Sequence, residues 1–255
     1  MTEFALPALA AVLLWWAGTG AVILLDRVPR DKSAFSFAGA TLFTLGAVLC
    51  IRHTATDTSV AGAYAGFICA VVLWGWHELS FLGGWITGPR HEPATPGVPA
   101  HIRFSQAVQV LLWHELALIG TGLVLWALWG HGANPVAAWT FALLYAMRVS
   151  AKLNLYLGVR NLALDFLPPH LVYLGSYFRK RRFNALMPVS LLAGAGVTAL
   201  LIDGAAQSQG GLRVSFVLLA SLLVLALVEH LMLVLPLQPS ALWRWALKRE
   251  AAVVR

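Results

Sequence analysis

The sequence predicts an all-α polytopic membrane helical bundle of about seven transmembrane helices, with the N-terminus outside and the C-terminus cytoplasmic. Three observations predict it. First, 59% of the 255 residues are apolar and only 11% are charged, whereas a soluble domain carries about 25% charged residues. A water-facing surface cannot be built from this composition, and the mean hydropathy of +0.75 agrees. Second, apolar runs of about the length that spans a bilayer recur along the whole chain. Third, lysine and arginine divide unequally between the connections.

The helical segments read from hydropathy are 4–25, 34–51, 60–86, 105–130, 136–157, 186–203 and 212–236, within one domain, 1–255. The run from Phe4 to Leu25 has no basic stretch before it and no small-residue cleavage site. It therefore reads as the first membrane helix and not as a cleaved signal peptide. The second and sixth segments, at 18 residues each, are the shortest and would lie with little tilt. Between the third and fourth, the proline-rich stretch from Gly88 to Phe104 reads as irregular. After the fifth, Leu167-Pro168-Pro169-His170 precedes an amphipathic run to Phe178, which suits a short interfacial helix. Arg179-Lys180-Arg181-Arg182 follows it, and both this cluster and Leu242-Trp243-Arg244-Trp245 read as interfacial anchors.

With seven crossings, fourteen lysines and arginines fall on one side, and only Arg52 and Arg213 on the other. The positive-inside rule then sets the orientation. It also accounts for the net charge of +7 without a nucleic-acid partner. The expected location is a bacterial cytoplasmic membrane, inner or intracytoplasmic, with lipids as the surrounding partner. Cys50 and Cys69 have no ligand spacing and read as helix-packing residues.

The chemistry concentrates in three histidine–glutamate neighbours inside apolar helices: His77-Glu78, His114-Glu115 and Glu229-His230. A charge at the centre of a membrane helix costs about 3 kcal/mol on insertion scales, so three such carboxylates demand a reason. At about 1.5 Å of rise per residue, His77, His114, His230, Arg148 and Lys152 all lie roughly 7–14 Å below the cytoplasmic surface. They form one layer. Gly66, Ala70, Ser80 and Gly84 share the helical face of His77, and small residues mark close packing. On the fifth segment Tyr145, Arg148, Lys152 and Tyr156 fall within an arc of about 80°, a polar stripe facing an interior.

Three roles fit this layer. One is a metal site for iron, manganese or zinc, with ligands drawn from His77, Glu78, His114, Glu115, Glu229 and His230. Adjacent residues on a helix diverge by about 100°, however, so a histidine and its neighbouring glutamate do not easily reach the same ion. Another is a bacteriochlorophyll-type tetrapyrrole held by an axial histidine. The third is a buried ion-pair network, in which Arg148 and Lys152 balance the carboxylates and fix helix register without any ligand. His91, Glu92 and His170 lie near the same membrane face and could close a site from below. Nucleophile elbows, Walker loops, dinucleotide fingerprints and HxxxH desaturase boxes do not occur.

Longer stretches carry a resemblance. Ala151-Lys152-Leu153-Asn154-Leu155-Tyr156-Leu157-Gly158-Val159-Arg160-Asn161, Phe166-Leu167-Pro168-Pro169-His170-Leu171 and Asn184-Ala185-Leu186-Met187-Pro188-Val189-Ser190 are similar to the PuhE family. So are Gly75-Trp76-His77-Glu78 with Thr87-Gly88-Pro89-Arg90, His114-Glu115-Leu116-Ala117-Leu118 and Leu242-Trp243-Arg244-Trp245. That family comprises photosynthetic-complex assembly proteins of phototrophic bacteria. The resemblance implies a multi-pass protein acting in reaction-centre and light-harvesting assembly or bacteriochlorophyll supply. Its implied partners are photosynthetic complex subunits or pigment-synthesis enzymes. It supplies no active site, so the histidine–glutamate layer rests on the residues alone. The expectation is a non-enzymatic assembly factor; the alternatives are a membrane metalloenzyme of tetrapyrrole or lipid metabolism and a structural scaffold.

Overall fold

The computed structural model describes residues 2–130 and 132–247, and the chain there is helical. The helices are α1 (Thr2–Asp26), α2 (Arg30–Thr54), α3 (Val60–Leu82), α4 (Ala100–Gln109), α5 (Leu112–Trp129), α6 (Val136–Leu157), α7 (Leu186–Gln207), α8 (Gly210–Val234) and the short α9 (Arg244–Leu247). Among the described residues six helices, α1, α2, α3, α5, α7 and α8, are long and apolar enough to cross a membrane. The seventh predicted span, α6, has the predicted bounds and sufficient length. It falls short in apolarity because it carries Arg148, Ser150, Lys152 and Asn154.

The α3 helix stands at the centre, packed against α1, α2, α5, α6 and α8, and α8 packs in turn on α1, α6 and α7. Phe67, Ala70 and Leu218 are fully buried at these contacts. On the outside, Leu42, Phe43, Leu123, Leu192 and Leu200 are each more than 60% exposed, the surface a lipid phase requires. Lipid is as apolar as leucine, so close packing and interhelical hydrogen bonds must hold such a bundle together.

Two predicted helices end or break early, both for reasons that lie in tertiary structure. The third stops at Leu82 and not at 86. There Gly84 turns the chain with φ +77°, and the Ser80 carbonyl accepts the N–H groups of both Trp85 and Ile86. The predicted 105–130 helix is broken at Val110–Leu111 into α4 and α5. The loop after α3 crosses at that break, and the Thr87 carbonyl accepts the His114 N–H at 2.9 Å. It thereby satisfies one of the orphan donors at the start of α5, which has no side-chain cap. Gly88 is needed there because a Cβ would run into the Gln109 carbonyl oxygen.

Asparagines bracket the connections. Asn184 Nδ2 donates to Gly158 O at 2.8 Å, while its Oδ1 accepts from the N–H groups of Leu186 and Met187. One side chain thus ties the end of α6 to the start of α7. Asn161 Nδ2 donates to the carbonyls of Met232, Leu235 and Leu237 beyond and within the end of α8. Asn134 donates to Thr54 O and Gly62 O and accepts from Val136 N. At the start of α3, Ser59 Oγ accepts from Gly62 N at 3.1 Å, and Asp57 Oδ1 accepts the Ser59 N–H at 2.9 Å.

The predicted interfacial helix is a 3-10 segment, Pro169–Tyr177. Leu171, Leu174 and Tyr177 from it pack with Phe81 and Val110 into a plug at the loop-rich end of the bundle. Arg90 clamps the plug: its Nε donates to Tyr177 Oη at 2.9 Å and its guanidinium to Pro93 O at 3.0 Å. The Trp243 of the predicted anchor is buried, with Nε1 donating to Trp16 O at 3.0 Å and its ring 5.1 Å from that of Trp15. Trp245, 47% exposed, lies on the outside. Of the basic positions in the topology argument, Lys248, Arg249 and Arg255 lie outside the described residues, as does His131.

Candidate functional site

The predicted polar layer is divided in two by the helix packing. One half is a pair of ion bridges. Arg148 on α6 reaches Glu78 on α3 at 2.6 Å, and Lys152, one turn further along α6, reaches Glu115 on α5 at 2.5 Å. The i, i+4 spacing on α6 sets both cations on one face, and α3 and α5 each present the glutamate of their Trp-His-Glu-Leu word to it. Each histidine, about 100° round its helix from that glutamate, is turned elsewhere. His77 is buried, its Nε2 2.9 Å from Thr121 Oγ1 on α5 and its Nδ1 without a partner. His114 is fully buried with both ring nitrogens unpartnered, its ring 4.7 Å from that of Phe81 and 6.5 Å from that of His77.

The other half, Glu229 and His230, shares a cavity with Glu78, Arg148 and Lys152. Its volume is about 910 Å³, and α1, α2, α3, α6, α8 and the plug enclose it. The walls are mostly apolar, and the charged and imidazole side chains among them are Glu78, Arg148, Lys152, Glu229 and His230. Glu229 on α8 directs its carboxylate into this space and accepts the Trp15 indole N–H at 2.8 Å. Among the described residues no cation is bonded to Glu229. His230 sits at the edge with both nitrogens engaged, Nδ1 with Ala226 O and Nε2 with Ser150 Oγ, each at 2.9 Å. Ser150 Oγ also lies 2.9 Å from Ser190 Oγ on α7.

The predicted site residues therefore separate cleanly. Glu78, Glu229 and His230, with Arg148 and Lys152, line the cavity, whereas His77, His114 and Glu115 lie behind its wall. Tyr156 of the predicted α6 stripe lines it too, but Tyr145 packs in the cluster around Phe141. His91, Glu92 and His170 are exposed and outside it. His91 meets Thr87 at 3.0 Å and Glu92 meets Arg90 at 3.5 Å. Closure at that end falls instead to Leu167, Leu174, Tyr177 and Phe178. Among the described residues no three histidine, cysteine, aspartate or glutamate side chains converge on one metal position. The adjacent pairs diverge as their helical spacing requires.

Two residues at the site escaped sequence reasoning. Trp15 lies 214 positions from the carboxylate it serves, and among eleven tryptophans nothing local distinguishes it. Trp243 walls the cavity beside it.

The cavity can hold one large, mainly apolar molecule and offers it two carboxylates, a guanidinium, an ammonium and an imidazole group. Pockets for organic ligands run from about 300 to 1,000 Å³, so this one is at the upper end and far larger than a lone metal ion requires.

Comparison with known proteins places the chain among relatives of similar length. The model of a family described as "Protein of unknown function (DUF3623)" matches residues 1–253. The chain is 40% identical over 247 residues to an "Uncharacterized 30.4 kDa protein in puhA 5'region" of Rhodobacter capsulatus, covering 95% of this chain and 90% of that one. Both agree with the resemblance to the PuhE family. No solved structure matches.

Proposed function

The chain belongs to the DUF3623 family, and from that premise we propose that it is a membrane assembly factor for the photosynthetic reaction centre and light-harvesting complex, acting in their bacteriochlorophyll supply. The observation that carries this is the intramembrane cavity of about 910 Å³, apolar on most sides and polar at Glu78, Arg148, Glu229 and His230. Its volume suits a tetrapyrrole or a lipid. The gene context named for the Rhodobacter capsulatus relative supports reading the ligand as a pigment. Glu229 is the group that meets the polar centre of the ligand, since its carboxylate faces the space with only an indole N–H as partner. His230 is second, because axial ligation through Nε2 requires the Ser150 hydroxyl to turn away. The protein binds and passes on its ligand without transforming it. It works in the cytoplasmic or intracytoplasmic membrane, with the plug and the basic segment 179–182 on the cytoplasmic side, where complex subunits or pigment-synthesis enzymes would dock.

The test is replacement of the chromosomal gene in a phototrophic host by a Glu229→Leu variant. Reduced accumulation of photosynthetic complexes, with the protein itself still present in the membrane, is the expected result. Normal accumulation with both Glu229→Leu and His230→Leu would exclude the cavity from function. It would favour a scaffold role, to which the two bridged pairs, Glu78–Arg148 and Glu115–Lys152, already contribute by fixing the register of α3, α5 and α6.

A further inference from the structure

The cavity is closed towards both ends of the bundle and open on one flank. At the loop-rich end Phe81, Val110, Leu174 and Tyr177 are all buried and form the plug. Beside them Trp243, Trp15 and Phe166 close the gap behind α1. Towards the other end, Ala11, Phe67, Val214 and Leu218 meet in a compact cluster. The flank between α1 and α2 is different. These helices are consecutive yet barely touch, while each packs on α3. Ala17, Ala21 and Leu25 on α1, and Phe35, Gly39 and Phe43 on α2, all line the cavity and are all exposed. Both triplets follow i, i+4, i+8 spacing, so each is one stripe along one helix face. Exposed cavity-lining residues on both of two helices that barely touch mark an aperture. Small residues sit at its centre, and Phe35 and Phe43, 81% and 69% exposed, stand at either end of the α2 side.

We propose that this aperture between α1 and α2 is a lateral portal, through which the cavity takes its ligand from the lipid phase. The inference rests on the function proposed above and names the class of ligand and its route. The ligand is a lipid-dissolved molecule with a broad apolar body and one electron-accepting centre. The six rim residues named are all uncharged, so a water-borne polar molecule gains nothing from them. Inside, two of the three carboxylates of the layer are matched by cations, and Glu229 alone faces the space without one. A Lewis-acidic or hydrogen-bond-donating centre complements it, and a second anion does not.

Two glycines on α2 make the route testable. A Cβ at Gly39 or at Gly46 would meet nothing within 4 Å, so either position accepts a side chain without repacking. Gly39 lines the cavity and Gly46 does not. The protein is placed in nanodiscs, and bacteriochlorophyll a is delivered from lipid vesicles while its absorption is followed. Wild type and Gly46→Trp should load at the same rate, and Gly39→Trp should load at least tenfold more slowly. Equal loading of Gly39→Trp and wild type overturns the portal while leaving pigment binding intact. If wild type does not load, the proposed function fails. The portal is then judged by a nitroxide at Gly39→Cys in a Cys50→Ala, Cys69→Ala background. Collisions with lipid-soluble oxygen should dominate at that label, and dominant collisions with an aqueous nickel chelate overturn the portal.

Discussion

Replacing Arg148 by methionine removes the cation from Glu78 and keeps most of the side-chain volume. The bond is 2.6 Å long, Glu78 is 13% exposed, and its second carboxylate oxygen is buried without a partner. Breaking a fully buried ion pair by removing one partner costs about 3–5 kcal/mol, whereas exposed pairs contribute about 0.2–1 kcal/mol. Arg148 is 42% exposed, towards the cavity, which moves the expectation below the buried range. It also repels Lys152, and relief of that repulsion offsets part of the loss. The expected destabilisation is about 2 kcal/mol, or roughly 4–8 °C in Tm at 2–4 °C per kcal/mol for a chain of about this size. The assay is thermal unfolding of purified Arg148→Met, Glu78→Gln and the double variant in one detergent. The double variant should recover more than half of the Arg148→Met loss, because no uncompensated carboxylate is left. An Arg148→Met protein that melts with wild type, or a double variant whose losses simply add, would refute the pairing as a source of stability.

Other consequences are local. Asn184→Ala removes the bonds that join the end of α6 to the start of α7; a loss of about 1–2 kcal/mol is expected by analogy with a lost cap, read as a lower Tm. Gly88→Ala forces a methyl onto the Gln109 carbonyl and should loosen the loop at the α4–α5 break, seen as faster proteolysis after Arg90 with α1–α3 still protected. The hydrogen bonds from Ser59 hold the Asp57 carboxyl below the usual carboxylate range. Asp57 therefore stabilises the start of α3 fully above an unfolded value of about 3.9, and the contribution is lost as pH falls through its lower folded value. The protection factors of the first α3 amides, corrected for the intrinsic pH dependence of exchange, should fall on acidification in wild type and show no such dependence in Asp57→Ala.

Much of the bundle is legible in sequence because hydropathy reports the requirement that dominates in lipid, a satisfied backbone under an apolar surface. The hydropathy segment 136–157 coincides with α6 even though its polar residues keep that helix out of the six clearly apolar spans. The ends of α3 and α5 were misplaced for the converse reason. Phe81, Leu82, Trp85 and Ile86 continue an apolar run past the point where Ser80 O and Gly84 turn the chain. The break at Val110 is made by a crossing loop, which no local pattern in 105–130 encodes. At the site, counting rise per residue was enough to put Glu78 with Arg148 and Glu115 with Lys152 in one layer. Whether one, both or neither member of an adjacent pair turns towards the cavity depends on the rotation of each helix, set by its neighbours. That is why Glu78 lines the space and His77 bonds Thr121 behind it.

The central claim, that the cavity holds a bacteriochlorophyll-type pigment against Glu229, is tested most directly by the absorption spectrum of the intact protein purified from a pigment-producing membrane. A Soret band and a near-infrared band at about one pigment per chain, both lost in Glu229→Leu protein of unchanged Tm, is the predicted result. Protein that purifies colourless, and stays so after incubation with bacteriochlorophyll a in nanodiscs, would contradict it.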